Sequence, residues 1–373
     1  MRRIQVVLDA RLTRHMSVGM KTYVRELVAR LPAVAPDLTF VAITNSDLTT
    51  DAATVRIAED RAANASWGEQ WTLPRVIARH AGARDSSIAH FMSVYAPRRS
   101  PIPYVYTIHD LIHKRYPRYF SWKIPLFYRF VVRHVAARAA FVLTDARATL
   151  PDLQCFLGVP APRVRVVPLG VSQAYALDDA ERLRCAAIAR RTHRLDRPYV
   201  MYAGNHRRHK NLETLFKAWL ALRQPCDLVL TEEGALPFDV SAYRSDWGNV
   251  RFVGHVTERK LIELYAGASA VVQPSLFEGF GLTVVEAMAC GSPVVVARTS
   301  ALTEVAGDAA LSFDPLQSDE LTQSMRALLS DSAFAEGLRR AGRLRAEAFT
   351  WDATATQTAA SYREALEFAW GRT

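Results

Sequence analysis

This sequence predicts an α/β protein of two consecutive doubly wound domains, and three observations carry that prediction. Its 373 residues exceed the size at which one hydrophobic core stops growing. Strand-like apolar runs alternate with amphipathic, helix-like ones along the chain, the pattern of a parallel sheet wrapped by helices. The alternation changes character once, over 172–197, a charged stretch containing LRCAAIARRTHR that ends at Pro198. Half the residues are hydrophobic and 23% are charged, which fits a soluble globular chain and excludes a disordered or fibrous one.

The elements follow in order. RIQVVLDA reads as the first strand, and KTYVRELVARL as a helix with Tyr23, Leu27 and Leu31 at helical spacing. Strands are then expected at FVAIT, SIAHFM, YVYTIHD, AAFVLTD and VRVVPLG, giving an amino-terminal domain over 1–172. A linker is expected over 173–197. The second domain, 198–350, starts at PYVMYAG and continues through CDLVLTE, VRFVG, SAVVQPS and PVVVA. The remaining residues, 351–373, read as a helix packing back on the first domain. Two such halves face each other across a cleft at the carboxyl ends of their strands, where sheets of this kind bind ligands.

No apolar run reaches the ~18 residues of a membrane span. The start, MRRIQVVLDA, enters a strand pattern without a cleavable hydrophobic segment, so a cytoplasmic setting is expected. Cys155, Cys185, Cys226 and Cys290 show neither metal-ligand spacing nor pairing and read as reduced. The formal net charge is +10, and 98–147 holds ten Lys or Arg against Asp110 and Asp145. Within it, YFSWKIPLFYRFVVRHVAARAAFVL mixes Trp122, Phe127, Tyr128 and Phe130 with Lys123, Arg129, Arg133 and Arg138. That composition fits a helix on an anionic membrane surface, peripheral on the inner face, and equally a helix with an ordinary solvated basic face. No finger, RNA-binding sheet or helix-turn-helix signature accompanies the charge, and nucleic acid is not an expected partner.

The stretch 275–291, SLFEGFGLTVVEAMACG, places Glu278 and Glu286 eight positions apart around a Gly-Phe-Gly turn. Gly279 and Gly281 put Glu278 on a loop, whereas TVVEAMAC has helix character and carries Glu286, with Gly291 to close it. Backbone N–H groups of Phe280, Gly281, Leu282 and Thr283 would leave the helix's amino end, a favourable place for phosphate. Two carboxylates on either side can accept hydrogen bonds from neutral hydroxyls, the layout of a ribose–diphosphate–sugar. The plainer reading is that both glutamates cap or solvate a helix.

The E-x7-E arrangement in PSLFEGFGLTVVEAMACGSPVV resembles that of the retaining glycosyltransferases of family 4, and the resemblance implies the GT-B fold of two Rossmann-like domains. It implies that Glu278 contacts the donor sugar and Glu286 the nucleotide ribose. YAGNHRRHKNLETL, 202–215, looks like the family's glycine, basic cluster and Lys-Asn helix start, so Gly204 and Lys210 would meet the donor diphosphate. Asn205 and His209 stand where some members carry Arg, which leaves Arg207 or Arg208 as the second cation. YTIHDLIH matches the amino-domain His-Asp-Leu segment and places His109 near the reacting sugar. VGMKTYVREL resembles the glycine turn after the first strand, with Gly19 matching a phosphate-approaching glycine and Lys21 replacing the second glycine. The base is expected around Gly254, His255 and Val256, through backbone groups.

Cleaving a sugar–diphosphate bond leaves an anion that a metal, or fixed cations and helix dipoles, must neutralise. The chain holds no Asp-x-Asp pair. The expectation is therefore a metal-independent, retaining hexosyltransferase without a cofactor, in which a GDP- or UDP-sugar is the co-substrate. Mannose is the favoured sugar, and the acceptor a glycan or lipid-linked molecule of cell-surface polysaccharide or glycoconjugate synthesis. Competing readings are transfer from a UDP-sugar to a small molecule, a GT-B epimerase, and a non-catalytic basic membrane adaptor.

Overall fold

The structure, a computed structural model, describes residues 3–14, 18–44, 55–60, 66–232 and 235–371. The chain divides into two compact units, one of Met1–Gly170 with Trp351–Thr373 and one of Val171–Thr350.

In the first unit the strands are β1 (Gln5–Asp9), β2 (Thr39–Thr44), β3 (Val55–Glu59), β4 (Ser87–Phe91), β5 (Tyr104–Thr107), β6 (Phe141–Thr144) and β7 (Val164–Val166). They form one parallel sheet in the order β3-β2-β1-β4-β5-β6-β7. Helices cover both faces of such a sheet, which is why β1, β4, β5 and β6 are buried along their whole length and read as apolar runs, not alternations. The strand order turns back between β1 and β4, and a doubly wound sheet has its ligand crevice at such a reversal. Helix Val18–Val34 buries Tyr23, Val24, Leu27, Val28 and Leu31, the stripe that its spacing predicts. The final helix, Trp351–Trp370, packs against it and buries Trp351, Ala355, Ala359 and Tyr362.

The basic stretch forms helix over 123–138, with a π turn at Tyr128–Val132 in its middle. It buries Tyr128, Val132, Val135 and Ala136, while Trp122, Leu126 and Phe130 stand 73%, 45% and 55% exposed. Among the described residues no helix is long and apolar enough to cross a membrane.

The second unit holds β8 (Tyr199–Tyr202), β9 (Asp227–Leu230), β10 (Val250–Phe252), β11 (Ala270–Gln273), β12 (Val294–Ala297) and β13 (Leu311–Phe313). Its parallel sheet runs β10-β9-β8-β11-β12-β13, with the reversal between β8 and β11.

One expectation needs correcting. The segment 173–197 is not a linker but part of the second unit, and it holds helix Asp179–His193, packed on helix Glu258–Gly267. Asp178 and Glu181 close a reciprocal capping box at its start, which satisfies two orphan N–H donors. Only Cys185 and Ala189 of that helix are buried. Small residues let two helices approach closely, and the charge that reads as linker is the solvated side of a packed helix.

Candidate active site

The Gly-Phe-Gly loop leaves β11 at Gln273 and enters helix Leu282–Ala289 through Gly281, whose φ is 102°. A side chain there would sit in the left-handed region and put its Cβ 2.9 Å from Leu302 Cδ2, so the position requires glycine. The turn brings Glu278 back against the strand end. Its Oε1 accepts from Lys210 Nζ at 2.6 Å, Gln273 Nε2 at 2.8 Å and Ser275 Oγ at 2.6 Å. Its backbone N–H donates to Ser300 Oγ at 2.8 Å, from the start of helix Ser300–Ala306 after β12. Burial alone would push the Glu278 carboxyl up, but the Lys210 charge and the hydrogen bonds from Lys210 and Ser275 outweigh it and hold it below its ordinary value.

Lys210 ends a short turn, Arg208–Lys210, that leads into helix Leu212–Ala221. Asn211 fixes that turn. At φ 55° it takes a left-handed conformation that Asn tolerates, and its Nδ2 donates to the carbonyls of Pro274 at 3.1 Å and Pro315 at 2.8 Å. Leu276 N–H donates to the His209 carbonyl at 2.8 Å, so the lysine turn and the glutamate loop are tied on both sides. The Lys-Asn pair thereby sets the cation against the carboxylate.

Glu286 sits in the second turn of helix Leu282–Ala289 and accepts from Tyr265 OH at 3.3 Å. Burial, opposed by that hydroxyl and aided by the charge of Glu258, pushes it up to about 7. The two carboxylates thus differ: one is ionised and paired, the other titrates near neutrality.

Gly204 follows β8 at φ 139°, where a Cβ would meet Tyr202 OH at 2.9 Å. Its N–H already donates to Thr231 Oγ1 at 3.2 Å. Tyr202 OH donates to the Asn205 carbonyl at 2.7 Å, and Asn205 Oδ1 accepts from Arg207 N–H at 3.3 Å. Arg207 and Arg208 are both exposed, whereas Lys210 is half-buried. Gly254, at φ 71°, accepts from Glu232 N–H at 2.9 Å, which joins the ends of β9 and β10; His255 is exposed and Val256 half-buried. Phe280 is buried and meets Phe349 edge-on at 5.6 Å, so only its backbone faces the loop; Gly279 is buried, and Leu282 and Thr283 begin the helix half-buried.

Gly19 and His109 belong to the first unit. Gly19 lies in the first turn of helix Val18–Val34. His109 Nδ1 is 2.8 Å from Asp145 Oδ2, and the Tyr23 ring stands perpendicular to the imidazole at 4.7 Å.

Sequence reasoning missed Gln273, Ser275, Ser300, Tyr265 and Asp145. One signal was present: Gln273 ends a strand, AVVQ, that is otherwise apolar and fully buried.

Two family profiles match in succession, "Glycosyltransferase Family 4" over residues 18–175 and "Glycosyl transferases group 1" over 186–345. The chain is 28% identical over 286 residues to the O-antigen chain mannosyltransferase B of Escherichia coli, covering 74% of each. It is 31% identical to the MMP alpha-(1->4)-mannosyltransferase of Mycolicibacterium hassiacum over 66% of this chain and 60% of that one. Among solved structures, a sucrose-phosphate synthase from Thermosynechococcus elongatus superposes over 100% of both chains with a TM-score of 0.77 at 21% identity. The two parallel sheets have the GT-B fold, and the chain belongs to glycosyltransferase family 4.

Proposed function

We propose that this glycosyltransferase moves a hexose, with mannose favoured, from a nucleoside-diphosphate sugar to a glycan or lipid-linked acceptor of surface-polysaccharide synthesis. The transfer retains configuration and uses no metal. The observation that carries this reading is the half-buried Lys210–Glu278 pair beside the glycine-entered helix. Lys210 has three N–H donors and spends one on Glu278, so it keeps that partner while another turns to the diphosphate. All three bonds to Glu278 fall on Oε1, and Oε2 is then the acceptor for sugar hydroxyls. Glu286, once ionised, accepts from the ribose. His109 acts on the transferred sugar, and the exposed Arg207 or Arg208 supplies the second cation.

As the glycosidic bond lengthens, charge grows on the leaving diphosphate. Lys210 and the helix amino end, fixed before reaction, stabilise that charge without reorganising. Retention needs no protein nucleophile in this scheme, because the departing diphosphate can take the acceptor's proton on the face where the hydroxyl arrives. The mannose preference rests on the two relatives named as mannosyltransferases.

The acceptor side has its own observation. Trp122, Leu126 and Phe130 project from a face that also carries Lys123, Arg129, Arg133 and Arg138. Lys123 lies 6.0 Å from the Trp122 ring centre and Arg129 5.5 Å from that of Phe130. Apolar tips among cations suit an anionic bilayer surface, and a lipid-linked acceptor would be met there.

Thermal unfolding against GDP, UDP, ADP and TDP tests the donor reading. A ligand that binds only the folded state raises the transition in proportion to its affinity. One diphosphate should stand clear of the others, and a flat response from all four would overturn the proposal.

A further inference from the structure

The first unit contains two histidines in opposite settings, His90 buried and His109 half-buried. His90, on β4, has both ring nitrogens satisfied by hydroxyls: Nδ1 lies 2.7 Å from Tyr362 OH, and Nε2 lies 2.7 Å from Thr107 Oγ1. Thr107 Oγ1 lies in turn 3.1 Å from Tyr23 OH. A hydroxyl can donate or accept, so this chain accommodates a neutral imidazole. Burial and the neighbouring His109 together push His90 down to about 3.

His109 differs because acceptors surround it. Its Nδ1 meets the carboxylate of Asp145, which stands 3% exposed just past the end of β6. The Met92 backbone and the charge of Asp110 also favour the charged form of the ring. Tyr23 closes the side against helix Val18–Val34, with rings perpendicular at 4.7 Å. Burial pushes the Asp145 carboxyl up, and the His109 charge and hydrogen bond oppose that, because a charge out of water is costly unless a cation partners it. Among the described residues the cation available to Asp145 is His109.

We propose that Asp145 is a positioning residue that holds His109 as an imidazolium, so that His109 presents an N–H, not a lone pair, to the sugar being transferred. This rests on the reading that His109 acts on that sugar. With Nδ1–H committed to Asp145, the ring is fixed in orientation, and Nε2–H, buried and without a partner at hydrogen-bond geometry among the described residues, is the donor left over. It can donate to a hydroxyl or to oxygen charge that grows during transfer, and it can abstract no proton. Burial works to lower the His109 pKa, but Asp145, Asp110 and the Met92 backbone outweigh it and raise it.

The sign of the pH dependence follows. The imidazolium is present below the His109 pKa, so transfer should fall as pH rises through it. Removing the Asp145 charge lowers that pKa and moves the alkaline limb to lower pH.

The test combines ring nitrogen NMR with kinetics on the full chain, using Asp145→Asn, Asp145→Glu and His109→Gln. The His109 signals are assigned by their disappearance in the last variant. Wild type should show both His109 nitrogens protonated at neutral pH. Asp145→Asn should lose on the order of tenfold in kcat at neutral pH with donor KM little changed, less than the ~10²–10⁴-fold that a directly acting proton donor contributes. It should recover at lower pH, and Asp145→Glu should lie between the two. A His109 that is neutral in the wild type, or an Asp145→Asn pH profile that overlays the wild type's, overturns the proposal. Undiminished turnover by His109→Gln, with an imidazolium in the wild type, overturns instead the reading of His109 as a sugar contact. Thermal unfolding of each variant separates these outcomes from misfolding.

Discussion

At the scale of single residues, the two glutamates of the motif are chemically unlike, and their difference has consequences. Glu278 is held ionised by Lys210, whereas burial places Glu286 near 7 with only Tyr265 OH opposing it. A ribose hydroxyl donates best to a carboxylate, so donor KM should rise as pH falls through about 7. Tyr265→Phe removes a bond that favours the charged form and should move this rise to higher pH. Glu286→Ala should raise KM with kcat less affected, because ribose contacts are alike in ground and transition states. Initial rates against donor concentration from pH 5.5 to 8.5 check all three, and an Ala variant with wild-type KM would remove Glu286 from the ribose. Glu278 and Glu286 stand out in the sequence by their spacing around a glycine turn, whereas Lys210 is singled out only through the family resemblance. Gln273, Ser275 and Ser300 do not stand out, since they meet Glu278 only through the paths of β11 and of the helix that follows β12. Asp145 and His109, 36 residues apart, join because β5 and β6 are neighbours.

At the scale of elements, the strand–loop–helix unit depends on one backbone conformation. Gly281→Ala places a β-carbon at φ 102° and 2.9 Å from Leu302 Cδ2. The left-handed strain alone should destabilise the second unit by about 1–2 kcal/mol, and the clash adds to it. Denaturant unfolding measures this loss, and a variant as stable as wild type would show that the loop takes another path. The strands of both sheets were largely readable, since burial on two faces writes them as unbroken apolar runs. Exceptions are β3 and β13, edge strands of VRIAE and LSF that lack such a run. The helix Asp179–His193 was misread for the converse reason: its buried stripe is two small residues under a charged surface, which composition cannot tell from a linker.

At the scale of the whole molecule, the +10 charge acts by where it gathers. If the Trp122–Leu126–Phe130 face meets anionic lipid, each nearby cation contributes about 1 kcal/mol, fading as salt shortens the screening length. Reversing Lys123, Arg129, Arg133 and Arg138 should abolish co-sedimentation with phosphatidylserine-containing vesicles while leaving hydrolysis of soluble donor intact. Wild type that stays in the supernatant even at low salt would remove the membrane from the account. The central claim is that fixed cations, Lys210 first, neutralise the leaving diphosphate. It is tested most directly by the kcat of donor turnover in wild type and Lys210→Ala, each with and without a chelator. Wild type should be indifferent to chelator and the variant slower by ~10²-fold or more, the usual effect of removing one stabiliser of developing charge. A wild type silenced by chelator, beside a Lys210→Ala enzyme turning over at nearly the normal rate, would contradict it.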